Sequence, residues 1–232
     1  MSGFSPDEFD RTGRLTVVID TEHGTLHGQL DMLSGSPGLV VLAHDTRKLD
    51  ARDQMLAGHF HNAGLSTLSI DLLAAHEENF PDIHNNVPLL AKRLLDFLET
   101  IKHRTQMGEL PEQPIGLFAA NATSPVVVRV ASLRDHDIAA IVCRGGLIDL
   151  AGVLYLRSLE SPILMLVEET DEQHATSNRR ALREVSCAKE LKLIPEIGID
   201  YAISAGFELA VQEATHWFHK YFADAGKAFF SP

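Results

Sequence analysis

Residues 115–125 read Ile-Gly-Leu-Phe-Ala-Ala-Asn-Ala-Thr-Ser-Pro. Pro-Glu-Gln-Pro (111–114) makes a turn before them, and the apolar run 126–133 after them has helical spacing. The order is a buried strand, a turn of small residues and a helix. A small-x-nucleophile-x-small stretch at such a turn presents a serine or cysteine on a tight bend, ready to attack an acyl carbon. Here Ala119 and Thr123 fill the flanking small positions, and Asn121 stands in the nucleophile's place. A carboxamide cannot make that attack. The frame for covalent acyl transfer is present without its reacting atom.

The elements that must hold this turn follow from hydrophobic patterning. Segments 15–20 and 26–33 read as a hairpin with turn signals at Glu22-His23-Gly24. Strands are expected at 39–43, 65–71, 115–120, 138–143, 162–167 and 191–195. Helices are expected at 51–63, ended by Gly64, and at 87–103, 126–133, 150–159, 178–186 and 205–222. Segment 72–86, rich in His, Glu, Asn and Pro, is a loop. After the hairpin, strand and helix alternate, which predicts an α/β fold: a mostly parallel sheet with helices on both faces. No insertion is long enough for a cap domain. The expected organisation is an arm over 1–13, one domain over 14–224 and a tail over 225–232. Sites in such sheets form at the carboxyl ends of strands, here His44-Asp45, Asp71-Leu72, Ala120-Asn121, Arg144-Gly145 and 168–171.

The chain has 232 residues, 45% hydrophobic and 22% charged, which suits one globular domain with a substantial core. A formal charge of −12 and the lack of a basic run argue against binding nucleic acid. No apolar stretch is long enough to span a membrane. Two cysteines, Cys143 and Cys187, do not make a disulfide framework, and residues 1–12 lack an apolar leader. A cytoplasmic protein is expected.

Several stretches together resemble the compact α/β-hydrolases related to dienelactone hydrolase. They are Gly38-Leu-Val-Val-Leu-Ala-His44, Ala63-Gly-Leu-Ser-Thr-Leu-Ser-Ile-Asp-Leu-Leu73, Val87-Pro-Leu-Leu-Ala-Lys-Arg-Leu-Leu95, Ile115-Gly-Leu-Phe118, Cys143-Arg-Gly-Gly-Leu-Ile-Asp-Leu-Ala151, Asn178-Arg-Arg-Ala-Leu182 and Trp217-Phe218. In particular the chain resembles a bacterial branch sometimes fused to a phosphoribosyltransferase domain. The resemblance implies an α/β-hydrolase fold and a triad of elbow nucleophile, acid and histidine. The acid position falls on Asp171. The histidine position falls on Ile199, or on Asp200 with a shift of one. The oxyanion loop, His-Gly-Ser-Gly in relatives, reads His44-Asp45-Thr46-Arg47.

These departures carry physical weight. Losing the Ser or the His of a triad costs on the order of 10⁶ in kcat, and losing both costs little more. Asp45 adds a carboxylate near a developing oxyanion; like charges ~4 Å apart at an effective dielectric of ~20 repel by roughly 4 kcal/mol. Arg47 offsets that if it points inward. Asn121 itself has two readings. It holds the positive φ of the turn, which Asn tolerates better than most residues, or its amide hydrogen-bonds a ligand in the old pocket. An unusual catalytic role is a third.

Other groups offer less. Thr123 and Ser124 precede a helix and are expected to cap it; Ser124 as a displaced nucleophile would need His174 or His44 as base. Cys143 ends an apolar strand and is expected to be packed. Arg144-Gly145-Gly146 joins a cation to backbone amides that could hold an anion, or Arg144 braces the Asp149 or Asp171 loop. Glu168 and Glu169 make the mouth acidic. Among 12 histidines, His59 and His61 face apart on a helix, and Glu213, His216 and His219 match no metal-ligand pattern, so no metal or cofactor is expected.

The leading expectation is a non-catalytic member of a hydrolase family. It would bind a small molecule near His44, Asp45, Asn121, Ala122, Arg144 and Asp171, or a protein partner, with a homodimer as one form it could take. The alternative is an active ester, thioester or lactone hydrolase with an unusual constellation. A pocket filled by Val87, Leu89 and the 72–86 loop would instead indicate a purely structural module.

Overall fold

The computed structural model describes residues 14–21, 24–45, 51–74, 77, 80–133, 138–197 and 204–229. Eight strands form one sheet: β1 (Arg14–Thr21), β2 (Gly24–Asp31), β3 (Leu39–His44), β4 (Ser66–Asp71), β5 (Ile115–Ala120), β6 (Ile138–Arg144), β7 (Ile163–Glu168) and β8 (Lys189–Ile194). Their spatial order is β1-β2-β4-β3-β5-β6-β7-β8. β2 is antiparallel to both neighbours, and the pairs from β4 onward are parallel. The helices are α1 (Ala51–Asn62), α2 (Val87–Gln106), α3 (Ser124–Leu133), α4 (Val153–Arg157), α5 (Glu172–Ala181) and α6 (Ala205–Phe229). The expected mostly parallel sheet with helices on both faces is what forms.

Central strands are apolar on both sides because both sides are covered. Leu39, Val41 and Ala43 of β3 join one core with α2 and α3, while Val40 and Leu42 join a second with α1 and α6. Side chains alternate across a strand, so one apolar run serves two cores. The α6 side is packed to contact. A Cβ on Gly38 would lie 2.4 Å from Phe222, and one on Gly116 would lie 2.6 Å from Phe218. Glycine at these two positions lets the aromatic rings rest on the sheet backbone.

Three helices differ from the sequence expectation. The segment expected as one helix over 150–159 is a 3-10 turn (Ile148–Ala151) followed by α4, broken at Gly152 with φ 102. The helix expected at 178–186 begins earlier, at Glu172, because Asp171 caps it. Its first turns bury little besides Ala175, so no apolar period announces it. α6 continues to Phe229, past the point where the tail is expected to begin. No helix among the described residues is long and apolar enough to cross a membrane.

The loop after β4 is tied down from below. Arg93 of α2, 1% exposed, donates to Glu77 through Nη1 and Nη2 at 2.7 and 2.6 Å and to the Leu72 carbonyl at 2.8 Å. Glu77 also accepts from the Ala74 N–H at 2.8 Å. Asn86 then caps α2 by accepting from the Leu89 N–H. A buried ion pair is costly to break from one side, because the remaining charge has no compensation. Arg93→Met is therefore expected to destabilise the protein by about 3–5 kcal/mol in denaturant titration. Arg93→Met combined with Glu77→Leu should recover a large part of that loss; a double variant as unstable as the single one would contradict this account.

Candidate functional site

The turn from β5 into α3 is the 3-10 turn Asn121–Thr123. Asn121 has φ 52 and is the one non-glycine residue with positive φ among the described residues. Left-handed backbone crowds a Cβ against the following carbonyl, and Asn is among the few residues that tolerate it. Its side chain is exposed. Ala122, next in the turn, is half-buried.

Two glycines make room for this turn. A Cβ on Gly146 would lie 2.0 Å from the Asn121 backbone oxygen, and one on Gly145 would lie 2.8 Å from its Oδ1. Both glycines have positive φ, 66 and 73. The Gly145 N–H donates to the Leu166 carbonyl at 2.8 Å, so it is not open to an anion. Of the expected Arg144-Gly145-Gly146 anion loop, the Gly145 N–H is thus already used, and both glycines give the turn clearance. Asn178, fully buried, locks this loop by donating to the Gly146 carbonyl at 2.8 Å and accepting from the Ile148 N–H at 3.2 Å.

The hydroxyls and the thiol beside the turn are occupied. Thr123 Oγ1 accepts from the Ala120 N–H at 3.2 Å and lies within donating distance of the Ala43 carbonyl, 3.0 Å, and the Ala120 carbonyl, 2.9 Å. Ser124 does not cap α3. Its hydroxyl donates to the Gly145 carbonyl at 3.0 Å, and the residue is fully buried. Cys143 is also fully buried, and burial pushes its thiol up to about 12, so it stays protonated at neutral pH.

The neighbouring strand ends bring charge to the same edge of the sheet. Asp45 follows β3, and its Oδ2 lies 3.0 Å from His84 Nδ1. His84 sits on the 3-10 turn Pro81–Asn85, which packs against the Asn121–Thr123 turn. The expected partner Arg47 lies outside the described residues. His44 turns to the α1 face of the sheet: its Nδ1 lies 3.0 Å from Asp53 of α1, as the alternation along β3 requires.

On the other side, Ala120 pairs in register with Arg144, which is half-buried at the end of β6. Glu168 ends β7, with Glu169 exposed after it. Asp171 is engaged by its own helix: Oδ1 accepts from the His174 N–H at 3.0 Å, and Oδ2 lies 2.7 Å from His174 Nδ1. The backbone N–H of His174 holds the Asp171 carboxyl below the usual range, helped by the His174 side chain. Ile199 and Asp200, the two candidates for the histidine position, lie outside the described residues.

The structure thus brings Asp45, Asn121, Ala122, Arg144 and Asp171 to adjacent strand ends, with His44 on the α1 face at the end of β3. It adds His84, which the sequence reading missed. Among the described residues no group of three or more His, Cys, Asp or Glu could hold a metal ion. Glu213 pairs instead with Lys192, and His219 Nε2 lies 3.0 Å from the Ala63 carbonyl.

No family model matches the chain. A Mycobacterium tuberculosis protein named "Putative phosphoribosyl transferase" is 28% identical over 193 residues, which is 82% of this chain and 43% of the relative. The chain therefore spans less than half the length of that curated relative. Among solved structures, a dienelactone hydrolase from Anabaena variabilis matches with TM-score 0.78 and 27% identity, covering 90% of this chain and 97% of the other. A cold-adapted esterase from an Arctic intertidal metagenomic library matches with TM-score 0.70 and 14% identity, covering 93% and 99%; at that identity the likeness concerns the fold. The eight-stranded sheet, the left-handed turn after β5 and these matches agree: the chain has the α/β-hydrolase fold and is similar to a dienelactone hydrolase.

Proposed function

We propose that this protein does not turn over esters and that it uses the edge around Asn121 to bind a small molecule. The observation that carries this reading is Asn121 itself: an exposed amide at the left-handed turn where a hydrolase of this fold needs its nucleophile. Two further facts support it. The nearest alternative nucleophiles, Thr123, Ser124 and Cys143, are buried and bonded or held protonated. Asp171 is already used by α5 and His174.

An exposed amide both donates and accepts, and Asp45 and Asp171 near it pair with His84 and His174. That favours a polar ligand over a purely apolar one. A protein partner is the second reading. The curated relative is named a phosphoribosyl transferase and extends well beyond the matched region. A separate phosphoribosyltransferase is thus the class of protein to test first for co-purification.

The purified protein is expected to show no hydrolysis of short-chain p-nitrophenyl esters or of a lactone. It should also show no fluorophosphonate adduct in peptide mass mapping. Turnover with an adduct on Ser124, or on any other mapped residue, would establish the hydrolase alternative and name its nucleophile.

The turn separates two roles of Asn121. Asn121→Gly, which accepts positive φ freely, should leave the melting temperature nearly unchanged. Asn121→Ala should cost about 1–2 kcal/mol from the left-handed backbone, read as a drop of a few degrees. Equal melting temperatures for the two variants would remove the turn-holding role.

Asn121→Ser with Ile199→His is expected to remain a slow hydrolase because the Asp45 carboxylate persists beside the oxyanion position. Adding Asp45→Gly should raise kcat on the order of 10²-fold, the scale of one oxyanion-stabilising contact. Full rates from the double variant alone would show that Asp45 does not interfere.

A further inference from the structure

The sheet ends in two edge strands, and only one of them is guarded. β8 at one end carries Lys189, Glu190 and Lys192 along its length. Charged side chains on an edge strand discourage pairing with another chain. β1 at the other end has 8 residues and reads Arg-Leu-Thr-Val-Val-Ile-Asp-Thr. It holds no proline, and its ladder with β2 runs from Arg14 to Thr21 without a bulge. No described strand pairs with its outer side. Every second residue of an antiparallel strand turns its N–H and C=O to a given side, so a row of backbone donors and acceptors lines this edge.

The side chains of β1 sort by face. Leu15 and Val17 are buried in the core that α2 covers, and Ile19 packs against it half-buried. Arg14, Thr16, Val18 and Asp20 are exposed on the other face, Val18 at 47%. The neutral stretch 15–19 is thus flanked by a cation and an anion that share one face. Arg14 Nε lies 3.0 Å from Asp31 Oδ1, and the Thr25 hydroxyl donates to Asp20 Oδ1 at 2.8 Å. Each group can serve a further partner, because a guanidinium has several N–H groups and a carboxylate several lone pairs.

We propose that β1 joins two copies of this chain. The two strands pair antiparallel about a two-fold axis at Val17 and make one continuous sheet. Directly opposite residues of such a pair share a face. With Val17 on the axis, Arg14 stands opposite the partner subunit's Asp20, and symmetry repeats that pair at the other end. Thr16 stands opposite the partner subunit's Val18, and Leu15 opposite the partner subunit's Ile19. Unlike charges and β-branched side chains set opposite each other stabilise a sheet. An axis between two residues would set core-facing side chains against exposed ones. An axis on Thr16 or Val18 would shorten the ladder and take Arg14 off Asp20. The pairing is isologous and closes at two copies. It does not depend on the function assigned to the Asn121 edge.

The test is sedimentation equilibrium of the full chain, with hydrogen exchange read at β1. An interface built on one strand is small, so a dimer in the micromolar range is expected. The β1 amides should exchange more slowly as concentration rises. Arg14→Glu alone and Asp20→Arg alone each set like charges opposite each other at both ends of the ladder. Each is expected to weaken self-association by about tenfold. Both positions are exposed, so each variant should stay folded, as a melting curve will show. Mixed in equal amounts, the two variants should associate as tightly as the unaltered chain, because both ends again oppose unlike charges. Three results overturn the proposal. One is a monomer at every concentration up to millimolar, the outcome expected if residues 1–13 occupy the edge instead. Another is a dimer whose β1 amides exchange as fast as in the monomer. The third is a mixture that associates no more tightly than either variant alone.

Discussion

The left-handed backbone at Asn121 is the constraint around which the carboxyl edge is arranged. A turn that tight projects its carbonyl and side chain against the neighbouring strand end. Only a pair of glycines there leaves room, and any Cβ at Gly146 would overlap the Asn121 carbonyl. The hydroxyls of Thr123 and Ser124 then tie the turn to β3 and to the glycine loop through backbone carbonyls. Asn178 fixes the far side of that loop from α5. The geometry that would aim a nucleophile in an active hydrolase is retained here around an amide. Backbone packing sustains the turn, so its shape does not depend on a hydroxyl at position 121.

Charge on this edge is managed in pairs. Asp45 meets His84, and Asp171 meets His174. Both pairs are partly exposed, and each adds little stability on that account. Their effect is on what the edge offers: Asp45 and Asp171 each already engaged by an imidazole, and each imidazole held by one nitrogen. The buried Arg93–Glu77 pair is different in kind. It sits under the loop that carries His84 and satisfies a backbone carbonyl and a backbone N–H as well as two charges. Cutting one partner strands several polar groups at once, so it behaves as an anchor for that loop.

Much of this was legible from sequence alone for local reasons. Strand and helix periods do not need a partner to be read, so the alternation of elements, the position of the turn at 119–123 and the amide at its tip were available from the chain. So was the burial of Cys143, at the end of an apolar strand. The misread helices show the limit. α5 hides its period behind a polar first half, and the carboxylate that caps it also sits where a triad acid would be expected. Residues 150–159 read from sequence as one helix, but Gly152 at φ 102 breaks it.

Only the tertiary structure decided which groups meet. His84 reaches Asp45 across 39 positions and Arg93 reaches Glu77 across 16, through a loop whose path no local pattern specifies. Arg144-Gly145-Gly146 could be read from sequence as an anion cradle; in the fold the ladder takes the Gly145 N–H, and the glycines give clearance to a turn 24 positions earlier. His44 is adjacent to Asp45 in sequence yet faces α1, because successive residues of a strand point to opposite sides of the sheet. Residue types set which chemistry was available; the pairing of distant segments set which of it was already used.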